Sequence, residues 1–468
     1  MSDTDLCFTP ATVLAEQIAQ KKLSPVELMR AVLERIETLD GKVNAFATVV
    51  PDLAMQGAKE AEQAVMRGDE LGVLHGVPVS IKDLAFTKGI KTEKGSHTLK
   101  GFVPDVDAPL VSKLKQAGGV ITGKTTTSEY AWTGVSRSPL TGITSNPWKL
   151  GYNAGASSAG AGAAAAAGFG PLHQGSDGAG SIRMPAHFSG VYGLKPTYGR
   201  IANWPFPNND QTSHMGPMSR TVADSALMLK AMAGPHPLDH TSLETQPDDY
   251  PAKLQRDLKG AKIAYSPDLG HARVDPDVAE LVRKAVGAFE EMGAHVEEVK
   301  DDFWRAGAEI IRFTWPIHEL WLAKYLPEFE SRMDPGLVAC IRHGQGHSAD
   351  AYLQARAKKL ALIEQIHRFF MKWDFLLTPA VSVAAFPADK LMPDHWPSHD
   401  WDWISWAEFS YPFNYSGNPA ASVPCGFTKD GLPVGLQIVA PRFDDLGVLQ
   451  ASHAFEQARP WADKRPDL

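Results

Sequence analysis

The stretch from Gly151 to Gly199 constrains this chain more than any other segment. From Asn153 it runs Asn-Ala-Gly-Ala-Ser-Ser-Ala-Gly and then passes through an Ala-rich segment, Ala159 to Ala167. It continues as Gly175-Ser176-Asp177-Gly178-Ala179-Gly180-Ser181-Ile182-Arg183. Side chains this small are useful where backbone must pass close to other backbone or to a ligand. The most membrane-like run, Ala159 to Phe169, is far shorter than the ~20 residues that a spanning helix requires. The segment therefore reads as a short Ala-rich helix between two loops of small residues.

Around it, elements alternate. Ser24-Pro25-Val26-Glu27 reads as a capping box, opening a helix through Leu28, Val32, Ile36 and Leu39. Thr9-Pro10 reads as an earlier cap with proline at the first helical position. Gly76 to Ile81, Val120 to Thr122, Gly190 to Leu194, Lys262 to Tyr265 and His295 to Val299 read as strands. Asp107 to Gln116, Thr221 to Met232 and Asp277 to Met292 read as helices. Such alternation predicts an α/β fold: a single large three-layer α/β/α domain with a mixed β-sheet core flanked by helices. Within residues 1–468 the expected parts are an N-terminal helical segment (1–70), a catalytic core (71–235), a variable substrate-pocket region (236–410) and a C-terminal return to the core (411–468). Gly234 to Pro251, rich in Pro, Asp and Thr, reads as a surface excursion.

Composition narrows the class. The 468 residues are 44% hydrophobic and 21% charged, which fits a globular chain able to bury a large core. A net charge of −8 argues against a nucleic-acid binder held by phosphate neutralisation. The three cysteines, Cys7, Cys340 and Cys425, are far apart and form neither a disulfide framework nor a zinc knuckle. The acidic start, MSDTDLCFTP, has no apolar signal segment, so a cytoplasmic protein without membrane attachment is expected.

Several motifs mislead. Gly118 to Thr125 matches the phosphate-binding pattern GxxxxGKT. Its interior, Val-Ile-Thr, reads as a strand rather than as a loop whose amides wrap a phosphate. Gly160 to Ala165 matches GxGxxA but follows a polar segment instead of a buried strand. Ser112-x-x-Lys115 fits an ordinary helix surface. Asp394-His395-Trp396-Pro397-Ser398-His399-Asp400 holds metal-ligand residue types, yet Pro397 disrupts the geometry that would align both histidines. That loop also carries Trp396, Trp401, Trp403 and Trp406, which suit either packing or an aromatic wall beside a substrate.

Ser181 follows a Gly/Ala tract and opens a short helical segment, where main-chain amides point outward and stabilise an anion. Two readings stay open on residues alone: a serine beside an oxyanion hole, or a structural tight turn.

Six motifs in order carry a resemblance across nearly the whole chain. They are Gly76 to Asp83, Asn146-Pro147-Trp148, Gly155 to Ala161, Gly175 to Ala186 with Gly193 to Gly199, Gly216 to Asp224, and Gly431 to Gln437. With these the sequence resembles the amidase signature family. The resemblance implies a Ser-Ser-Lys triad. Ser181 would be the nucleophile, Lys82 the base, and Ser157, in a cis linkage after Ala156, the bridge between them. Amides of Gly178, Ala179, Gly180 and Ser181 would form the oxyanion hole, with Asp177 and Arg183 supporting the loop. No metal and no cofactor are implied.

The resemblance implies an amidase that hydrolyses a small carboxylic amide to acid and ammonia. Its alternatives are a hydrolase of ureide or carbamoyl amides, and the amidotransferase subunit of a tRNA-dependent transamidation complex. That subunit commonly has glutamine where this chain has Met184. The family usually has glycine at Ala156, Ala159 and Ala179, and alanine tolerates a positive φ poorly. These departures bear on catalytic efficiency and motivate a third reading, a binding scaffold without turnover. Tyr130, Trp132, parts of Phe303 to Trp321 and the Trp-rich loop are the expected pocket residues, suiting an aryl or apolar acyl group. Expected partners are a small amide substrate and, through N-terminal helices, a second copy of the chain.

Overall fold

A computed structural model describes residues 2–244 and 248–468. Its centre is an eleven-stranded sheet. In chain order the strands are β1 (Phe46–Val49), β2 (Pro78–Lys82), β3 (Val120–Thr125), β4 (Leu172–Asp177), β5 (Tyr192–Lys195) and β6 (His214–Ser219). There follow β7 (Lys262–Tyr265), β8 (His295–Glu298), β9 (Phe375–Pro379), β10 (Ala420–Phe427) and β11 (Pro433–Val439). Their order across the sheet is β1-β3-β2-β4-β6-β5-β10-β11-β9-β7-β8. Parallel pairing joins β3, β2 and β4, and again β9, β7 and β8. The strands between are antiparallel, so the sheet is mixed.

Alternation along the strands divides the side chains between two cores. Ile263, Tyr265, Phe375 and Leu377 enter one, beneath the helices Pro109–Gln116, Val222–Met232, Pro276–Glu291 and Asp445–Ala458. Ala264 and Leu376, one residue out of step, enter the other, with Trp304, Trp315 and Trp403. In β2, Val79 and Ile81 join the first core, which turns Ser80 and Lys82 to the opposite face. This places a lysine inside the protein by strand parity alone.

The Ala159–Ala167 helix is buried on every side. Only a helix without bulk fits so close to the sheet. A Cβ on Gly160 would lie 2.2 Å from the Ala45 carbonyl oxygen and 2.4 Å from the Thr126 nitrogen. Together with apolar side chains from Leu6 to Ile36 in the N-terminal helices, Ala159, Ala163, Ala164 and Ala167 build a third core.

Most element boundaries fall close to expectation: Val222–Met232 is helical with Thr221 as its cap, and Lys262–Tyr265 is a strand. The N-terminus differs. Thr9 closes the preceding helix, Asp3–Phe8, and Pro10 is itself the cap residue of Ala11–Ala19. At Ser24, the hydroxyl accepts from the Val26 and Glu27 amides as expected and donates to the Glu62 carboxylate. Part of the Gly234–Pro251 excursion is tied down by the Leu243 amide bonding to the Gly199 carbonyl; its positions 245–247 lie outside the described residues. No helix among the described residues is long and apolar enough to cross a membrane.

Gly160→Ala and Gly287→Ala should part company in urea denaturation. The first forces a methyl into backbone and is expected to cost about 1–3 kcal/mol. The second sits mid-helix with nothing within 4 Å of the new Cβ and should gain about 0.5–1 kcal/mol.

Candidate active site

Lys82 ends β2, and Ser176 lies near the end of β4, the parallel neighbour of β2. The carboxyl ends of parallel strands are where open α/β sheets present chemistry. Ser157 and Ser158 lie in the turn that enters the Ala159–Ala167 helix, with Ser158 as its cap residue. The Ala156–Ser157 peptide is cis. Lys82 Nζ stands 2.6 Å from Ser157 Oγ, 2.9 Å from Ser158 Oγ and 3.0 Å from Ser176 Oγ. It has no exposed surface. Burial holds its pKa well below the ordinary lysine value, outweighing the field of Asp177, which favours the ammonium.

Ser181 sits in the loop between β4 and the Arg183–Ser189 helix, almost fully buried. That loop is wrapped around one carboxylate. Asp177 accepts from the amides of Gly180 (2.7 Å) and Ile182 (3.2 Å). It also takes the Arg183 guanidinium in two-pronged fashion, Nε at 2.9 Å and Nη2 at 2.8 Å. Burial alone would raise the Asp177 pKa. The Arg183 charge and its hydrogen bonds prevail and hold the carboxyl far below the usual carboxylate range. Arg183 spends its remaining donors on Ser410 O, Gln437 Oε1 and Asn414 Oδ1, while Asn414 Nδ2 donates to Asp177. The pair is therefore a fully buried hub rather than a surface ion pair.

Positive φ falls on Gly155 (77°) and Gly180 (109°), not on Ala156, Ala159 or Ala179. The alanines thus impose no left-handed strain on the loop. At Gly180 a Cβ would also strike Ser410 Oγ at 2.5 Å. Of the amides expected to hold an oxyanion, that of Gly180 is engaged by Asp177. Among the described residues no hydrogen bond engages those of Ala179 and Ser181.

Ser157, Ser176, Gly178 and Ser181 open onto one cavity of about 360 Å³. Tyr130 lines it, as do Phe206, Met215, Trp315 and Trp321. Trp132 does not. It is fully buried against Gly336, and its carbonyl accepts from the indoles of Trp315 and Trp403. The Trp-rich loop also packs inward: Trp396, Trp401, Trp403 and Trp406 belong to the second core. In the same loop His395 pairs with Asp275, and His399 accepts from the Trp401 and Asp402 amides. Lys124 of the GxxxxGKT pattern is buried in β3, donating to Ala85 O, Thr87 Oγ1 and Thr92 Oγ1. Sequence reading missed Ser158 and Ser176 on the lysine, and Asn414 and Ser410 on the arginine. Only Ser158, beside Ser157, carried a local signal.

The Amidase family model matches residues 27–449. An acylamidase of Rhodococcus erythropolis is 36% identical over 100% of this chain and 98% of its own. The A-type polypeptide of a glutamyl-tRNA(Gln) amidotransferase from Cyanothece sp. is 35% identical over 97% of this chain and 99% of its own. Among solved structures, a bacterial aryl acylamidase of the amidase signature family superposes with a TM-score of 0.91 at 28% identity, covering 97% of both chains. Matched along nearly its full length in sequence and in fold, the chain belongs to the amidase signature family of amide-hydrolysing enzymes.

Proposed function

We propose that this protein is a serine amidase that converts a small carboxylic amide to acid and ammonia. The observation that carries the reading is the buried Lys82 amine, held 2.6 Å from Ser157 at the cavity that Ser181 lines.

Hydrogen counting leaves Ser157 free to donate across that contact when the amine is neutral. A neutral amine has two hydrogens and one lone pair. Ser158 Oγ donates to Ser176 O, so toward Lys82 it accepts. With Nζ donating to Ser158 and to Ser176, the lone pair is left for the Ser157 hydroxyl. Ser157 can then take a proton from Ser181 as its own passes to Lys82. Ser181 Oγ bonds to the amide carbon, and the oxyanion meets the loop amides. The proton returns through Ser157 to the amide nitrogen, the C–N bond breaks, and ammonia leaves an acyl-enzyme. Water repeats the sequence and releases the acid. Removing one donor from an oxyanion hole costs about 3–4 kcal/mol in comparable sites.

The cavity is of a size that encloses a small ligand. Phe206, Met215, Trp315 and Trp321 favour an aryl or apolar acyl group over a short aliphatic one. A second reading rests on the Cyanothece relative: an amidotransferase component that makes ammonia for a partner protein. Glutaminase activity that requires such a partner would select it.

Ser181→Ala should abolish ammonia release from any amide that the wild type turns over, by at least about 10³-fold in kcat; unaltered release would remove Ser181 from the nucleophile role. The pH profile tests the base. A lysine with a lowered pKa is neutral above that value, so kcat/KM should fall only as pH drops through it. The plateau should be reached well below pH 10.5, where an ordinary lysine would still be protonated. Lys82→Arg, whose guanidinium stays protonated, should be inactive across the whole range.

A further inference from the structure

The cavity wall carries two adjacent polar side chains that the proposed chemistry does not use, His318 and Glu319. They lie where the Arg305–His318 helix ends and a 3-10 turn, Leu320–Tyr325, begins. Glu319 is 7% exposed, and among the described residues its carboxyl makes no hydrogen bond and no ion pair. Both ring nitrogens of His318 are likewise without a partner. A buried carboxyl normally has its hydrogen bonds supplied, because leaving it bare costs several kcal/mol. Among the described residues none supplies that complement to Glu319.

The setting indicates its sign. Trp315 and Trp321 line the same cavity, and aromatic faces attract cations. Lys94 is the one cationic side chain in the lining among the described residues. Its charge interacts with Asp83, and its ammonium lies 5.4 Å from the Phe86 ring centre, so it does not neutralise Glu319. Burial pushes the Glu319 carboxyl up to about 8, and a cation beside it would oppose that shift by favouring the carboxylate.

From Glu319 on the wall of an aromatic cavity that Ser181 also lines, we infer that the preferred amide substrate carries a basic amine, bound as an ammonium ion at Glu319. This inference names the substrate class of the proposed amidase and rests on that reading for the hydrolysis step, but not for binding. Glu319 would act as a specificity determinant, touching the substrate remote from the bond that breaks.

Titration calorimetry of the Ser181→Ala protein tests it without turnover. The two ligands are 4-(aminomethyl)benzamide and 4-ethylbenzamide, alike in shape but differing in an ammonium. The amine is expected to bind at least tenfold tighter. In Ser181→Ala/Glu319→Gln that ratio should fall to about one. Equal affinity for the two ligands, binding of neither, or a ratio unchanged by Glu319→Gln overturns the inference. A purely structural role for Glu319 would weaken both ligands alike and leave the ratio intact. Discrimination in binding, combined with no ammonia release by the wild type, would sink the amidase reading and leave the ammonium site standing.

Discussion

The Asp177–Arg183 pair holds together what the rest of the site depends on. Two charges without solvent are costly to bury, and removing one partner of such a pair typically costs about 3–5 kcal/mol. Here the cost is offset by completeness. The carboxylate takes two amides of its own loop, the Asn414 amide group and both prongs of the guanidinium; the guanidinium reaches Ser410, Asn414 and Gln437 as well. Because the carboxylate binds the Gly180 and Ile182 amides, the path of the backbone at Ser181 is fixed between them. The position of the serine is thus set by electrostatics one step away from it.

Burial alone does not set Lys82 apart, and this protein provides its own controls. Lys82, Lys124 and Lys195 are all without exposed surface, and burial lowers the pKa of each. Their partners differ. Lys124 donates to a carbonyl and two threonines of the loop that follows β2, and Lys195 donates to the Asn418 carbonyl. A carbonyl has no proton to give. Lys82 alone meets a serine hydroxyl that also opens onto the cavity. The amines are alike in burial; what distinguishes Lys82 is that the hydroxyl it meets also opens onto the cavity.

How far the sequence revealed this follows from the range of each interaction. The alternation of elements, the buried Ala-rich helix and the clustered serines are local patterns, and strand parity in Pro78–Lys82 already turns the lysine away from Val79 and Ile81. Trp132 was misplaced because an aromatic near a presumed site looks the same whether it lines the cavity or packs beside it; close approach to Gly336 decided the matter. Glu319 was invisible for the opposite reason. At a helix end a glutamate is unremarkable in sequence, and only the missing partner in three dimensions marks it. The concern over Ala179 dissolved because the demanding backbone angle falls one residue later, on Gly180.

The reach of Arg183 along the chain has a consequence for biosynthesis. Its partners Asn414 and Gln437 lie 231 and 254 residues downstream. At typical rates of translation, roughly 10–50 s pass between the emergence of the Ser181 loop and that of its last anchor. Throughout that interval the serine segment exists without the scaffold that fixes it. A nascent or prematurely terminated chain therefore carries Lys82, Ser157 and Ser181 but not their alignment, which is complete only when nearly the entire polypeptide has been made.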